Sequence, residues 1–282
     1  MHIFDTHCHY NLDPLATNWE AHWSKAQTAG VTHSIIVGTD IESSQMALTQ
    51  AKSQKQLFAS VGIHPGSLED IFHPEMKPRD IEVILEKLTL KLTTLLQSNP
   101  VALGEVGLDY YRLRSKGLKR EFLENIQKTM LIIQLNLAKT YNLPVIAHVR
   151  DQIDRTEENA YFDFLKIIEK YPPTKFVLHC ASGPLAYIEK AIEMGASIGV
   201  DGNVTYDSAE HIRKIVALTP SEKLLLETDA PYLAPNQHKG EICEPWMISE
   251  TAQYLESELT QNLEQIYQNS FSFFDLERNQ VQ

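Results

Sequence analysis

His7 and His9, in the string Asp5-Thr6-His7-Cys8-His9, are the first residues here whose type and spacing suit chemistry. On a β-strand a period of two turns Asp5, His7 and His9 to one face and Thr6 and Cys8 to the other, so two imidazoles can converge on one cation. Later strings add single residues of the same kind: Glu105 in Gly104-Glu105-Val106-Gly107-Leu108-Asp109, His148 after Ala147, His179 after Leu178, and Asp229 in Glu227-Thr228-Asp229. Each follows an apolar run marked for burial, and a buried ionisable group is costly unless it is paired or ligating. A shared metal site accounts for all of them at once. Four imidazoles and two carboxylates are enough for two divalent ions with positions left for water, and mixed nitrogen and oxygen donors suit Zn²⁺, Mn²⁺ or Mg²⁺ alike. Cys8 has the wrong phase to join them.

Residues so far apart in sequence need a scaffold that gathers strand ends. Short apolar, β-branched runs at 2–9, 32–39, 57–64, 101–109, 144–150, 175–181, 196–202 and 224–228 read as strands. Helical patterns lie between them, among them 121–141, 154–171 and 185–194, and two closing helices fit 246–274. Eight repeats of strand then helix predict a parallel sheet closed into a (β/α)₈ TIM barrel, with an open doubly wound sheet as the alternative. No linker or low-complexity tract interrupts the rhythm, so a single domain over 1–282 is expected. The long connection 66–99, with an amphipathic run at 81–96, and the basic stretch 112–119 both follow strand ends that carry candidate residues. Solvated loops and walls of a site are both open readings for them.

Composition narrows the classes further. With 43% hydrophobic and 22% charged residues the chain can bury a substantial core. A net charge of −12 argues against a broad polyanion-gripping surface, but not against phosphate chemistry where bound metals supply positive charge. Three scattered cysteines without C-x-x-C spacing, no basic leader and no apolar run of membrane length lead us to expect a cytoplasmic protein with no membrane and no obligate protein partner. Around the presumptive centre, His64 ends the third strand, where it would hydrogen-bond a substrate phosphate or cap a helix. Arg112 and Arg150 would pair with phosphate or with Asp109 and Asp151. Glu227 and Asp5 suit orienting roles, and Tyr110, Tyr111 and Tyr232 suit either base stacking or packing.

Five strings together are more specific: Asp5-Thr6-His7-Cys8-His9, Gly62-Ile63-His64-Pro65, Gly104 to Arg112, Pro144 to Asp151 and Leu226 to Leu233. In this order, over nearly the whole chain, they resemble the successive signatures of the TatD-type deoxyribonucleases. The resemblance implies a (β/α)₈ barrel and a divalent-metal hydrolase degrading DNA from 3′ ends, with single-stranded DNA as the substrate partner. It further implies two divalent ions, one held by His7, His9 and Asp229 and the other by His148 and His179, with Glu105 bridging. Glu105 and Asp229 are then the candidate catalytic residues, Asp229 either accepting the proton of the attacking water or acting as a ligand only, and His64, Arg112 and Arg150 remain the candidate substrate contacts. Departures are also visible. Where the family commonly shows Arg-Gly-Lys-Arg-Asn-Glu-Pro, this chain has Lys239-Gly240-Glu241-Ile242-Cys243-Glu244-Pro245, and Ala181 stands where an aromatic residue is usual. They leave open a metal-dependent hydrolase of a non-nucleic-acid ester, amide or lactone, and, from another class, a metal-binding scaffold without catalysis.

Overall fold

The computed structural model describes residues 2–151 and 159–276. Its eight strands are β1 (Ile3–Cys8), β2 (Val31–Val37), β3 (Leu57–Val61), β4 (Ala102–Asp109), β5 (Val145–Arg150), β6 (Phe176–Leu178), β7 (Ser197–Val200) and β8 (Leu224–Leu226). They pair in chain order, each parallel to the next. An open sheet would leave β1 and β8 on opposite edges. Here the Asp229 amide donates to the His7 carbonyl at 2.9 Å and the His9 amide to the Ala230 carbonyl at 2.8 Å. The Thr6 hydroxyl adds a bond to the Leu226 carbonyl at 3.0 Å, so the ring closes as a (β/α)₈ barrel.

Outside the ring run α1 (Trp19–Thr28), α2 (Ile41–Ala51), α3 (Pro78–Leu96), α4 (Leu118–Tyr141), α5 (Ala160–Lys170), α6 (Leu185–Glu193), α7 (Glu210–Leu218), α8 (Ile248–Ser257) and α9 (Leu263–Phe273). Local chemistry fixes several starts: Asp40 and Ser43 form a reciprocal cap on α2, and the Asn159 and Asn262 side chains cap α5 and α9. The strand-to-helix rhythm and the two closing helices follow the sequence reading, with shifted ends. Helix α4 begins at Leu118, inside the stretch read as a loop, and residues 154–158 of the helix expected at 154–171 lie outside the described residues. No helix among the described residues is long and apolar enough to cross a membrane.

One apolar cluster gathers Phe4, Ile35, Val37, Ala102, Ile146, Val177 and Leu225, which only the barrel interior can bring together, and Phe271, Phe273 and Phe274 of the C-terminal segment complete it. Two residues further along the same inward rows stand His148 after Ile146, His179 after Val177 and Glu227 after Leu225. The polar centre is thus the top layer of a packed interior, at the C-terminal end of the strands. In β1 and β4 the row is not continuous. Register slips between Ile3 and Phe4, between Asp5 and Cys8, and between Leu103 and Val106 shift the phase, and His7 and Glu105 still reach the centre. Strands β3, β6 and β8 stop earlier than the expected ends at 64, 181 and 228, because the chain leaves the ladder where its side chains turn to the centre; Cys180 and Asp229 have φ of 45° and 56° there.

Candidate metal centre

Glu105 stands in the middle of the centre. Its Oε1 lies 2.7 Å from His148 Nδ1, 3.3 Å from His179 Nε2 and 3.7 Å from His64 Nε2, and its Oε2 lies 3.5 Å from His7 Nε2 and 3.8 Å from His9 Nε2. Asp229 Oδ1 closes the second group at 3.6 Å from His7 Nε2 and 3.4 Å from His9 Nε2. The six residues proposed from sequence as ligands therefore meet in one place, with one oxygen of Glu105 facing each group. Donor sets compact enough for an ion are His7, His9 and Glu105; His7, His179 and Asp229; and Glu105, His148 and His179. A fourth set, His64, Asp109 and His148, adjoins them.

Hydrogen-bond partners assign the histidine tautomers. His9 Nδ1 faces the Val37 carbonyl at 2.9 Å, and a carbonyl only accepts, so the proton is on Nδ1 and the Nε2 lone pair points into the centre. His179 donates from Nδ1 to Glu227 at 3.1 Å, and His148 donates from Nε2 to Asp109 at 3.2 Å, leaving His179 Nε2 and His148 Nδ1 as the lone pairs beside Glu105. Carboxylates behind histidines in this way fix the ring and raise its basicity as a ligand. Space is arranged to match: a Cβ on Gly199 would collide with the Glu227 carboxyl, and one on Gly107, whose φ is +150°, would collide with the His148 carbonyl.

His64 is built the other way round. The Gly66 amide donates to its Nδ1 at 2.9 Å, capping the turn Pro65–Leu68, so the proton sits on Nε2, the atom that faces Glu105. Burial, aided by the neighbouring His148, pushes its pKa down to about 3, which keeps the ring neutral. It offers the centre a hydrogen-bond donor and no lone pair. The capping and site-facing readings of His64 hold together in one side chain.

Burial opposes ionisation of Glu105, but the surrounding imidazoles, His179 foremost, outweigh it and hold the carboxyl well below the usual range. For Asp229 burial is likewise outweighed, by His179 and then by His9, and its carboxyl is lowered too. The same carboxylates raise His179, His9 and His148 against their own burial, whereas burial and the charge of His179 lower His7. His7 Nδ1 is buried with no hydrogen-bond partner, which turns the bonding of that ring wholly to Nε2, 3.2 Å from His9 Nε2. Two ionised carboxylates among converging imidazole lone pairs are a donor set that fits divalent cations.

Asp109 is the functional neighbour that the sequence reading assigned only to Arg112. The signal was present: Glu105, Gly107 and Asp109 share a phase on β4. Asp5 does not touch a ring; it accepts from the Thr228 amide at 3.0 Å and hydroxyl at 2.8 Å, tying β1 to the chain after β8, and burial raises its pKa to about 8. Cys8 points its Sγ to the Ala230 carbonyl, away from the centre. Tyr110 is withdrawn from base stacking, since its ring is buried and its hydroxyl bonds Asp163 at 3.1 Å. Tyr111 and Tyr232 are exposed, and Arg150 lies 4.5 Å over the Tyr111 ring.

Two cavities open on the centre and share Arg112, His148, His179, Asp229 and Tyr232. The first, about 440 Å³, is lined by His64, Ser67, Glu69, Asp70 and Arg114 beside the centre. Arg114 is engaged there by Glu69 at 3.4 Å and Asp70 at 2.8 Å. The second, about 510 Å³, is walled by Val149, Tyr206, Pro231, Leu233 and Ala234, with Arg150 and Glu241 also lining it. Arg112 is half exposed and only loosely paired, its Nε 3.7 Å from Asp109.

Residues 4–275 match the family described as TatD related DNase. The chain is 34% identical to the metal-dependent hydrolase YjjV of Escherichia coli K12 over 85% of its own length and 83% of that protein. It is 30% identical to the metal-dependent hydrolase TatD of Mycobacterium tuberculosis over 82% and 80% of the two chains. The crystal structure of YJJV, a TatD homologue from Escherichia coli K12, superposes with a TM-score of 0.80 at 30% identity, covering 98% of both chains. A TatD family hydrolase of Entamoeba histolytica shares the fold at a TM-score of 0.75 and 20% identity, covering 97% of this chain and 98% of the other.

Proposed function

We propose a deoxyribonuclease acting on 3′ ends of single-stranded DNA, from the premise that this chain belongs to the TatD related DNase family and is a metal-dependent hydrolase. The observation that carries the reading is Glu105 with one oxygen toward His7 and His9 and the other toward His148 and His179, as a carboxylate shared by two ions would lie. Residues His7, His9 and Asp229 would hold one ion, and His148 and His179 the other. Bound there, Mg²⁺, Mn²⁺ or Zn²⁺ would acidify a water and neutralise phosphate charge.

The chain's own groups then divide the work. Asp229 Oδ1, beside the imidazoles of His7 and His9, takes the proton of the attacking water. Water oxygen bonds phosphorus, the bond to the 3′ oxygen of the preceding nucleotide breaks, and that oxygen is protonated from solvent. His64 Nε2–H donates to a phosphate oxygen, while Arg112 and Arg150 pair with the diester. Glu227 and Asp109 keep His179 and His148 in the ligating tautomer.

The test is release of nucleotides from a 5′-labelled single-stranded DNA with Mg²⁺ or Mn²⁺, lost in Glu105→Ala and on blocking the 3′ end. No metal-dependent release by protein with its metals shown to be bound would overturn it. The acidic residues of the cleft, Glu69, Asp70 and Glu241, favour a second reading in which an uncharged ester, amide or lactone is hydrolysed. A substrate panel in which only phosphodiesters turn over removes that one.

A further inference from the structure

The two cavities beside the centre differ in character, and the difference carries information about substrate length. The second combines the rings of Tyr206 and Tyr232 with the apolar Pro231, Leu233 and Ala234, a lining that suits a flat ring such as a nucleobase. Tyr206 is fixed for that role by its hydroxyl bond to the Ala234 carbonyl at 2.8 Å. At the edge of this cavity stands Glu241, whose side chain is 65% exposed and therefore at the solvent-open end. His238 Nδ1, 3.1 Å away, is its ion-pair partner, but His238 also faces Glu250 at 3.1 Å, so two carboxylates share one imidazole.

We propose that Glu241 is a specificity-determining residue that confines this enzyme to short chains or the last nucleotide or two of a strand. The second cavity takes one base beside the centre, and the carboxylate at its outer edge repels the phosphate that would follow. A cation does stand beside this cavity, Lys239 with its Nζ 4.5 Å over the Tyr206 ring, but Glu241 with Glu250 leaves no net positive charge there for a second phosphate. Arg114 is engaged by Glu69 and Asp70 in the first cavity, and Arg112 and Arg150 lie next to the centre, where the first phosphate would sit. Like charges separated by one nucleotide through solvent repel modestly, so the effect is about threefold for neutralising Glu241 and about tenfold for reversing its charge.

The inference rests on the phosphodiester reading of the centre, and binding separates the two. Dissociation constants of phosphorothioate-linked pTpT and pTpTpTpTpTpT, which resist hydrolysis, are measured by calorimetry on the full chain with Mn²⁺ present, for wild type, Glu241→Gln and Glu241→Lys. The expected result is that the hexamer binds wild type no more tightly than the dimer, and that the ratio shifts toward the hexamer about threefold in Glu241→Gln and about tenfold in Glu241→Lys at low salt. A ratio that is the same in all three proteins, or failure of both ligands to bind, overturns the proposal. Turnover of the corresponding phosphodiester oligonucleotides is recorded separately: tight, length-selective binding without hydrolysis refutes the nuclease reading while leaving the subsite intact.

Discussion

Replacing Glu227 probes how the centre holds its metals without touching a ligand. Glu227 Oε1 accepts from His179 Nδ1 at 3.1 Å and from the Cys180 amide at 2.6 Å, and the carboxyl is buried against Gly199. Glu227→Gln keeps an acceptor oxygen and nearly the same shape but removes the charge that makes His179 a stronger ligand. Loss of such a supporting carboxylate typically lowers metal affinity or activity 10- to 100-fold. Because the acceptor survives, Glu227→Gln belongs near tenfold, or about 1.4 kcal/mol. Glu227→Ala removes acceptor and charge, leaving two buried N–H groups unpaired, so it should reach about a hundredfold and also destabilise the fold by about 1–3 kcal/mol. Affinity is read by competition with a chelator and stability by urea unfolding of the metal-free protein. Metal affinity unchanged in both variants would refute the assignment of His179 as a ligand supported from behind. Equal loss of stability in both would make Glu227 a packing residue only.

Three further outcomes follow from named contacts. His64→Ala should lower kcat about a hundredfold, as removal of one transition-state donor does, with metal content by atomic emission unchanged; a fall in metal content would instead make His64 a ligand. The logarithm of affinity for a single-stranded DNA should fall with the logarithm of salt at a slope of about −1.4, two phosphates at about −0.7 each, since Arg112 and Arg150 are the lining arginines not engaged by Glu69 and Asp70. Arg112→Ala should halve that slope, and a slope beyond −3 would point to a basic surface elsewhere. His238, raised by its bond to Glu241 against slight burial and further by Glu250, should titrate above 6.5 by NMR; its contribution to stability is full below the unfolded pKa and is lost as pH rises through the folded one. In Glu241→Gln the midpoint should drop, and an unmoved midpoint would refute the pair.

How much of this was legible in the sequence depends on how local each cause is. The barrel was readable because eight apolar runs alternate with helical patterns, and the convergence of the six candidate ligands because each interrupts such a run near its end, as His148 does after Ile146-Ala147. The strand ends were not, since His179 and Asp229 sit where the ladder stops and the backbone turns, a consequence of side chains drawn inward. Nor were the breaks in alternation in β1 and β4, where register slips reset the phase between Phe4 and His7 and around Glu105. The tautomer of His9 depends on the Val37 carbonyl, a backbone atom on another strand, for which no residue type gives a signal.

Selectivity is less local still, and the charges near the centre show why it separates from the chemistry. Glu105 and Asp229 are held ionised by surrounding imidazoles, so on the two-ion reading the metal charge would outweigh that of these two carboxylates and draw in one phosphodiester. That field weakens within a Debye length of about 8 Å at physiological salt. Beyond it the substrate meets Arg112 and Arg150 on the favourable side and Glu69, Asp70 and Glu241 on the other, in a chain of net charge −12. A long polyanion gains little from that rim, whereas one diester placed against the metals gains nearly all the attraction available. On the deoxyribonuclease reading the same centre favours the end of a strand over its middle, and the acidic surface that argued against a DNA-gripping protein is compatible with one that trims termini.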